Sequence, residues 1–311
     1  MLKVGLILYS VREEMAKDPI ATVRKVAALG YKNIEVCNHN AMEDPGCGFQ
    51  IPARTLRETF AEFGSRVISA HIFPIEKADL PAVLAYNQEL GNRNIVCPNG
   101  RFTTYDDLMR QCENFNRTGK LCKEAGMTYL YHNHNHEFRT IDGKPVMDLL
   151  LENTDPEYLS LELDTFWVMR AGLDPVEVLK RYGKRVKLVH QKDFAWDSME
   201  PINLLGLTPE ERALSPEGAG TDGNSAYAKA GGHHVETDEA AKEALRIRRT
   251  AFTEIGTGIM HIQQIIDAAN AHTDAEYIIL EQDATRMESQ LASVEKSMEG
   301  FRKYTGISWE N

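Results

Sequence analysis

The stretch Tyr129-Leu-Tyr-His-Asn-His-Asn-His-Glu-Phe138 begins apolar, as a buried strand does, and then sets His132, His134, His136 and Glu137 within six residues. Imidazole nitrogen and carboxylate oxygen together suit Zn, Mn, Fe or Ni, and no thiolate stands beside them to favour a purely structural zinc. Polar residues at a strand end also serve simply to bond loop backbone. The cluster therefore takes its meaning from what the other strand ends carry.

Those ends repeat the theme. One apolar run closes on Glu35, another on His71, a third on Leu161-Glu-Leu-Asp164 ahead of Trp167, a fourth on His190-Gln-Lys192-Asp193 and the last on Glu281-Gln-Asp283. Glu137, Asp164, His190 and Glu281 would offer one nitrogen and three oxygens to a divalent cation, with two octahedral positions left for substrate or water, an arrangement that suits Mn²⁺. Singly, Asp164 or Glu281 reads equally well as a helix cap or an ion-pair partner. Four consecutive strand ends that each deliver an acid or imidazole make a stronger signal.

Eight short, β-branched runs must position these groups: Val4–Val11, Asn33–Asn38, Arg66–Phe73, Asn94–Pro98, Thr128–His132, Leu159–Asp164, Val186–His190 and Tyr277–Glu281. The first seven begin about 27 to 34 residues apart, the length of a strand, a helix and two turns. They are near-continuously apolar rather than alternating, as parallel strands covered on both faces are. Between them lie helical segments. Asp18-Pro19 and Asp174-Pro175 supply N-caps with Pro at the first helical position, and Gly30 and Gly183 supply the stops. Segments 56–64, 80–91, 105–126, 259–271 and 288–304 fill the remaining gaps. Strands and helices in this order predict a single (β/α)₈ TIM barrel, whose site lies at the C-terminal ends of its strands. A doubly wound sheet would offer a Gly-rich turn after its first strand, and here Tyr9-Ser-Val-Arg12 follows. The one GxGxxG, Gly218 to Gly223, follows Leu214-Ser-Pro-Glu rather than a strand and reads as a loop.

Between strands seven and eight, about fifty-five residues from Ala195 to Thr250 stand where a barrel needs a handful. They are rich in Gly and Glu, carry His233-His234, and suggest short helices from Thr208 and over 237–249. A loop this long inside a compact domain is commonly functional. Rooted beside His190 and Lys192, it reads as a lid or partner-binding arm, not a domain of its own.

The composition bounds the function. Of 311 residues, 42% are apolar, enough for one large core. The net charge of −11 argues against a nucleic-acid partner. No apolar run approaches the roughly 18–20 residues of a membrane span, and the first ten residues lack a signal peptide's pattern. The five cysteines (37, 47, 97, 112, 122) show no CxxC spacing and read as reduced thiols of a cytoplasmic protein.

Tyr131-His-Asn-His with Glu137-Phe138, Leu163-Asp-Thr-Phe-Trp167, Val189-His-Gln-Lys-Asp193 and Glu254-Ile-Gly-Thr-Gly258 together resemble the xylose isomerase-like TIM barrels, and within them the sugar phosphate isomerase/epimerase branch. The resemblance covers nearly the whole chain outside the insertion. It implies one divalent metal, Mn²⁺ first with Mg²⁺, Zn²⁺ or Co²⁺ also compatible, held by Glu137, Asp164, His190 and Glu281. Relatives often carry Glu where His132 stands, so His132 is an alternative to Glu137 as the strand-five ligand. The implied chemistry is proton abstraction next to a sugar carbonyl through a metal-stabilised enediolate. His132, His134 and Glu281 are the expected acid and base, Lys192 an oxyanion partner, and His71, Glu35 and Trp167 substrate contacts. Proton return gives an isomerase or epimerase. Loss of a β-substituent gives a lyase, such as a dehydratase or the α-subunit of a C-glycoside deglycosidase, for which the insertion would dock a second subunit. A homo-oligomer is the other assembly expected. Apurinic-site nucleases share the barrel but need several zinc ions and a basic surface, and a non-catalytic sugar-binding protein would not need the full ligand set.

Overall fold

The computed structural model describes residues 1–100, 102–198 and 251–310. Eight parallel strands close on themselves: β1 Leu2–Ile7, β2 Asn33–Asn38, β3 Arg66–Ile72, β4 Asn94–Cys97, β5 Thr128–His132, β6 Ser160–Asp164, β7 Val186–Gln191 and β8 Tyr277–Leu280. Each pairs with the next, and β8 returns to β1 with Val4 opposite Ile278 and Leu6 opposite Leu280. The chain is a single (β/α)₈ TIM barrel with its helices outside.

Local chemistry sets the helix limits. The Asp18 side chain accepts from Ala21 N at 2.9 Å and opens helix Pro19–Leu29, which Gly30 ends at φ +109°. Asp174 caps Pro175–Tyr182 in the same way. Helix 105–124 starts on a reciprocal capping box between Thr104 and Asp107. Other bounds differ from the sequence reading. Strand β1 ends at Ile7, and Leu8–Val11 turn as a 3₁₀ helix, because Arg12 pins that corner by donating to the carbonyls of Tyr9 and Asp283. Three short helices, Arg12–Lys17, Val146–Glu152 and Thr165–Arg170, are too brief for periodicity to reveal.

Most apolar side chains pack between the barrel wall and the helices. A smaller set lies inside the barrel: Ile7, Ile68, Val96, Leu130, Leu188, Tyr277 and Ile279. Strand periodicity then dictates what stands above this floor. Two residues on from Leu130, Leu188 and Ile279 come His132, His190 and Glu281. Layers of inward side chains drawn from alternate strands are the rule in this architecture. Here the lower layer is aliphatic and the upper ones ionisable.

Asp193–Phe194 pair antiparallel with Phe252–Thr253, and Ala195 N donates to Ala251 O at 3.0 Å. Asp193 also accepts from the amides of Phe194, Gly256, Gly258 and Met260. A Cβ on Gly258 would lie 2.3 Å from Asp193 Oδ1, so glycine is required for this approach. The two ends of the long insertion are thus tied together at the barrel. The expected lid or arm itself, with the helices read near 208 and 237, His233-His234 and the Gly218–Gly223 loop, lies outside the described residues. All five cysteines are unpaired, and four are buried. Among the described residues no helix is long and apolar enough to cross a membrane.

Candidate metal centre

The ionisable side chains inside the barrel form two tiers. The upper tier is His132, Asp164, His190 and Glu281, all buried, with one donor atom from each lying within 4.8 Å of the others. These come from β5, β6, β7 and the residue after β8. Lys192 enters the same space: its Nζ donates to Asp164 Oδ2 and Glu281 Oε2, each at 2.5 Å, and lies 3.8 Å from Asp283. The ammonium also sits over the Trp167 ring, 5.6 Å from its centroid. Asp164 has a second duty, since its Oδ1 accepts from Trp167 N and caps helix Thr165–Arg170.

Beneath is a tier of Glu35, His71 and Glu162. His71 Nε2 lies 2.6 Å from Glu162 Oε2 and 3.2 Å from Glu35 Oε1. His190 joins the tiers, with Nε2 at 2.6 Å from Glu35 and Nδ1 at 2.9 Å from Glu281. His132 Nδ1 lies 3.1 Å from Glu162. Glu162 Oε1 is buried without a hydrogen-bond partner.

Of the two strand-five candidates, His132 stands with Asp164, His190 and Glu281, and Glu137 does not. The Glu137 carboxylate is already occupied by Tyr131 Oη at 2.5 Å and the His134 amide at 2.9 Å, which fold the 3₁₀ turn 136–138. It groups instead with His134 and His136. Glu35 and His71, expected as substrate contacts, lie in the lower tier and engage His190 and Glu162. Trp167 is buried between Lys192 and His134, whose ring centroid is 5.6 Å away. Glu162 is the functional candidate the sequence reading passed over. Its signal was its place two residues before Asp164, on the same face of the strand.

Burial dominates the electrostatics. It pushes Glu35 up to about 7, helped by the Glu162 charge, and Asp164 up to about 6 against the pull of Lys192. For Glu162, the opposing imidazoles of His190 and His71 outweigh burial and hold it well below the usual range. Lys192 and His190 do the same for Glu281. Burial works against a charge on His190 too, but Glu162 and Glu35 win and its pKa rises. Burial takes His132 down to about 3 and His134 well below an ordinary imidazole. His134 is partly exposed, yet its Nδ1 is shielded and has no partner.

The donor chemistry fits a divalent cation. Two imidazoles and two carboxylates are the nitrogen and oxygen set that borderline first-row metals accept. Three buried carboxylates (Asp164, Glu281 and Asp283) gather round one ammonium, an excess of negative charge that is costly in a low-dielectric interior and that a cation would offset.

Known proteins resemble parts of this chain or its fold. Inosose dehydratases of Geobacillus kaustophilus and Clostridium tetani are 36% identical over 90 residues and 38% over 99. Those stretches cover 29% and 32% of this chain and 29% and 33% of the two relatives, so the match spans about a third of their length. A sugar phosphate isomerase/epimerase from Parabacteroides distasonis superimposes with a TM-score of 0.68 at 23% identity, over 99% of this chain and 96% of that one. The model of the xylose isomerase-like TIM barrel matches residues 23–304, a span that holds both tiers and every motif of the barrel mouth, and the chain belongs to that family.

Proposed function

We propose that the protein is a divalent-metal-dependent enzyme that removes a proton next to the carbonyl of a sugar or keto-sugar, and returns it as an isomerase or epimerase does. The observation that carries this is the convergence of His132, Asp164, His190 and Glu281 beside a neutral imidazole, His134, with an unpartnered Nδ1. His132, Asp164, His190 and Glu281 would hold the cation. When bound, the cation supplies Lewis-acid polarisation of carbonyl and hydroxyl oxygens. His134 is the base this arrangement favours, since enclosure keeps it unprotonated and its nitrogen free. Lys192 presents a fixed ammonium to the same space and would hold negative charge that develops on a substrate oxygen. Trp167 and the aliphatic floor keep water from the pair. Mn²⁺ is the proposed metal.

The partial identity to inosose dehydratases favours a second reading, in which the same abstraction ends in loss of a β-hydroxyl. A lyase acting on 3-keto C-glycosides with a second subunit is a variant of it. Both readings predict exchange of the α-proton with solvent. The test is incubation of the metal-loaded protein with keto-sugars and inososes in D₂O, followed by NMR. Deuterium with a new epimer or isomer supports the first reading, and deuterium with dehydration the second. Absence of exchange on every substrate, with metal bound, would rule out proton abstraction.

A further inference from the structure

We infer that Glu162, with Glu35, is a positioning residue that fixes the tautomers and ring orientations of His132 and His190. This rests on the metal reading above and assigns the lower tier a task within it.

An imidazole ligates through one nitrogen only while its proton sits on the other, and a carboxylate accepting that proton's hydrogen bond sets the choice. Both rings meet this condition from below. His132 presents Nδ1 to Glu162 Oε2 at 3.1 Å, which leaves Nε2 as its remaining donor atom. His190 presents Nε2 to Glu35 Oε2 at 2.6 Å and to Glu162 Oε2 at 3.3 Å, which leaves Nδ1 beside Glu281. The two rings come from different strands, yet Glu162 touches both, because His132 and Glu162 are register partners across β5 and β6.

His71 braces the arrangement. Its Nε2 hydrogen-bonds Glu162 Oε2 and lies 3.2 Å from Glu35 Oε1, and its ring stacks on His190 at 5.3 Å and 9° and meets His132 edge-on at 5.0 Å. The nitrogen–oxygen separations of 2.6 Å at His71 and His190 are hydrogen-bond lengths. The lower tier thus meets the upper tier through the two shared imidazoles, His132 and His190.

Zn²⁺ and Co²⁺ titrations of the full chain test this, with chelator competition for affinity. The wild type is expected to bind one equivalent. Glu162→Gln is expected to weaken Zn²⁺ about 10–100-fold and, when saturated with Co²⁺, to shift the visible bands, while its metal-free melting curve stays cooperative. A purely structural role would not move the saturated Co²⁺ spectrum. If Glu162→Gln does not fold, Glu35→Gln, which contacts only His190 and His71, carries the same expectation. A folded variant with unchanged affinity and a superimposable spectrum would overturn the inference. So would two equivalents in the wild type falling to one in Glu162→Gln, since Glu162 would then be a ligand. A wild type that binds no metal would defeat the metal reading itself and this one with it, a result distinct from the other two.

Discussion

Lys192 Nζ donates to Asp164 Oδ2 at 2.5 Å, and both groups are buried. The same ammonium reaches Glu281, so one positive charge serves two carboxylates that are also candidate ligands. Lysine and the proposed cation would therefore draw on the same oxygens.

Lys192→Met should destabilise the metal-free protein by about 3–5 kcal/mol, because two buried carboxylates lose their partner. Saturating Mn²⁺ should restore a large part of that loss by binding the same oxygens. Urea denaturation with EDTA and with Mn²⁺ measures both values. An equal loss in the two conditions would mean that the cation does not use Asp164 and Glu281.

Asp164→Ala should abolish metal binding and cost about 1 kcal/mol for the lost cap on helix Thr165–Arg170. Asp164→Asn should keep the cap and still weaken the metal. Elemental analysis and thermal melts separate the two effects, and full occupancy in the alanine variant would remove Asp164 from the site.

His134→Ala should slow α-proton exchange by about 10²–10⁴-fold and leave metal affinity close to that of the wild type. Exchange at the wild-type rate would transfer the role of base to another group, with Glu281 the next in reach.

Replacing residues 199–250 with a short Gly/Ser linker should leave the melting temperature within a few degrees. Ala195 and Ala251 are already hydrogen-bonded, so the linker closes a gap that the fold holds together. Turnover or subunit association should fall sharply. A barrel that unfolds would show that the insertion is structural, and unaltered turnover and association would leave the proposed arm without a task.

The barrel was legible in the sequence because the strands are largely apolar runs at a regular spacing and the helices have their own punctuation, as at Asp18-Pro19 and Gly30. The upper tier was legible because Asp164, His190 and Glu281 stand at strand ends. Glu137 against His132 was harder, because proximity in sequence says nothing of the Tyr131 hydroxyl that occupies Glu137. Glu162 was overlooked because it sits inside an apolar run, where only the period of two separates an inward carboxylate from an outward leucine. The roles of Glu35 and His71 depend on contacts across the barrel, with partners 155 and 91 residues away in the chain.

The aliphatic floor of Ile7, Ile68, Val96, Leu130, Leu188 and Ile279 closes the barrel below the ionisable tiers. Traffic to the site then resembles a stack. On the proposed function an ion would descend first, a sugar would settle on top of it, and departure would run in the opposite order. Exchange of the ion should accordingly be slowest when the mouth is filled, so a tightly held product would protect the metal from chelators without touching a single ligand.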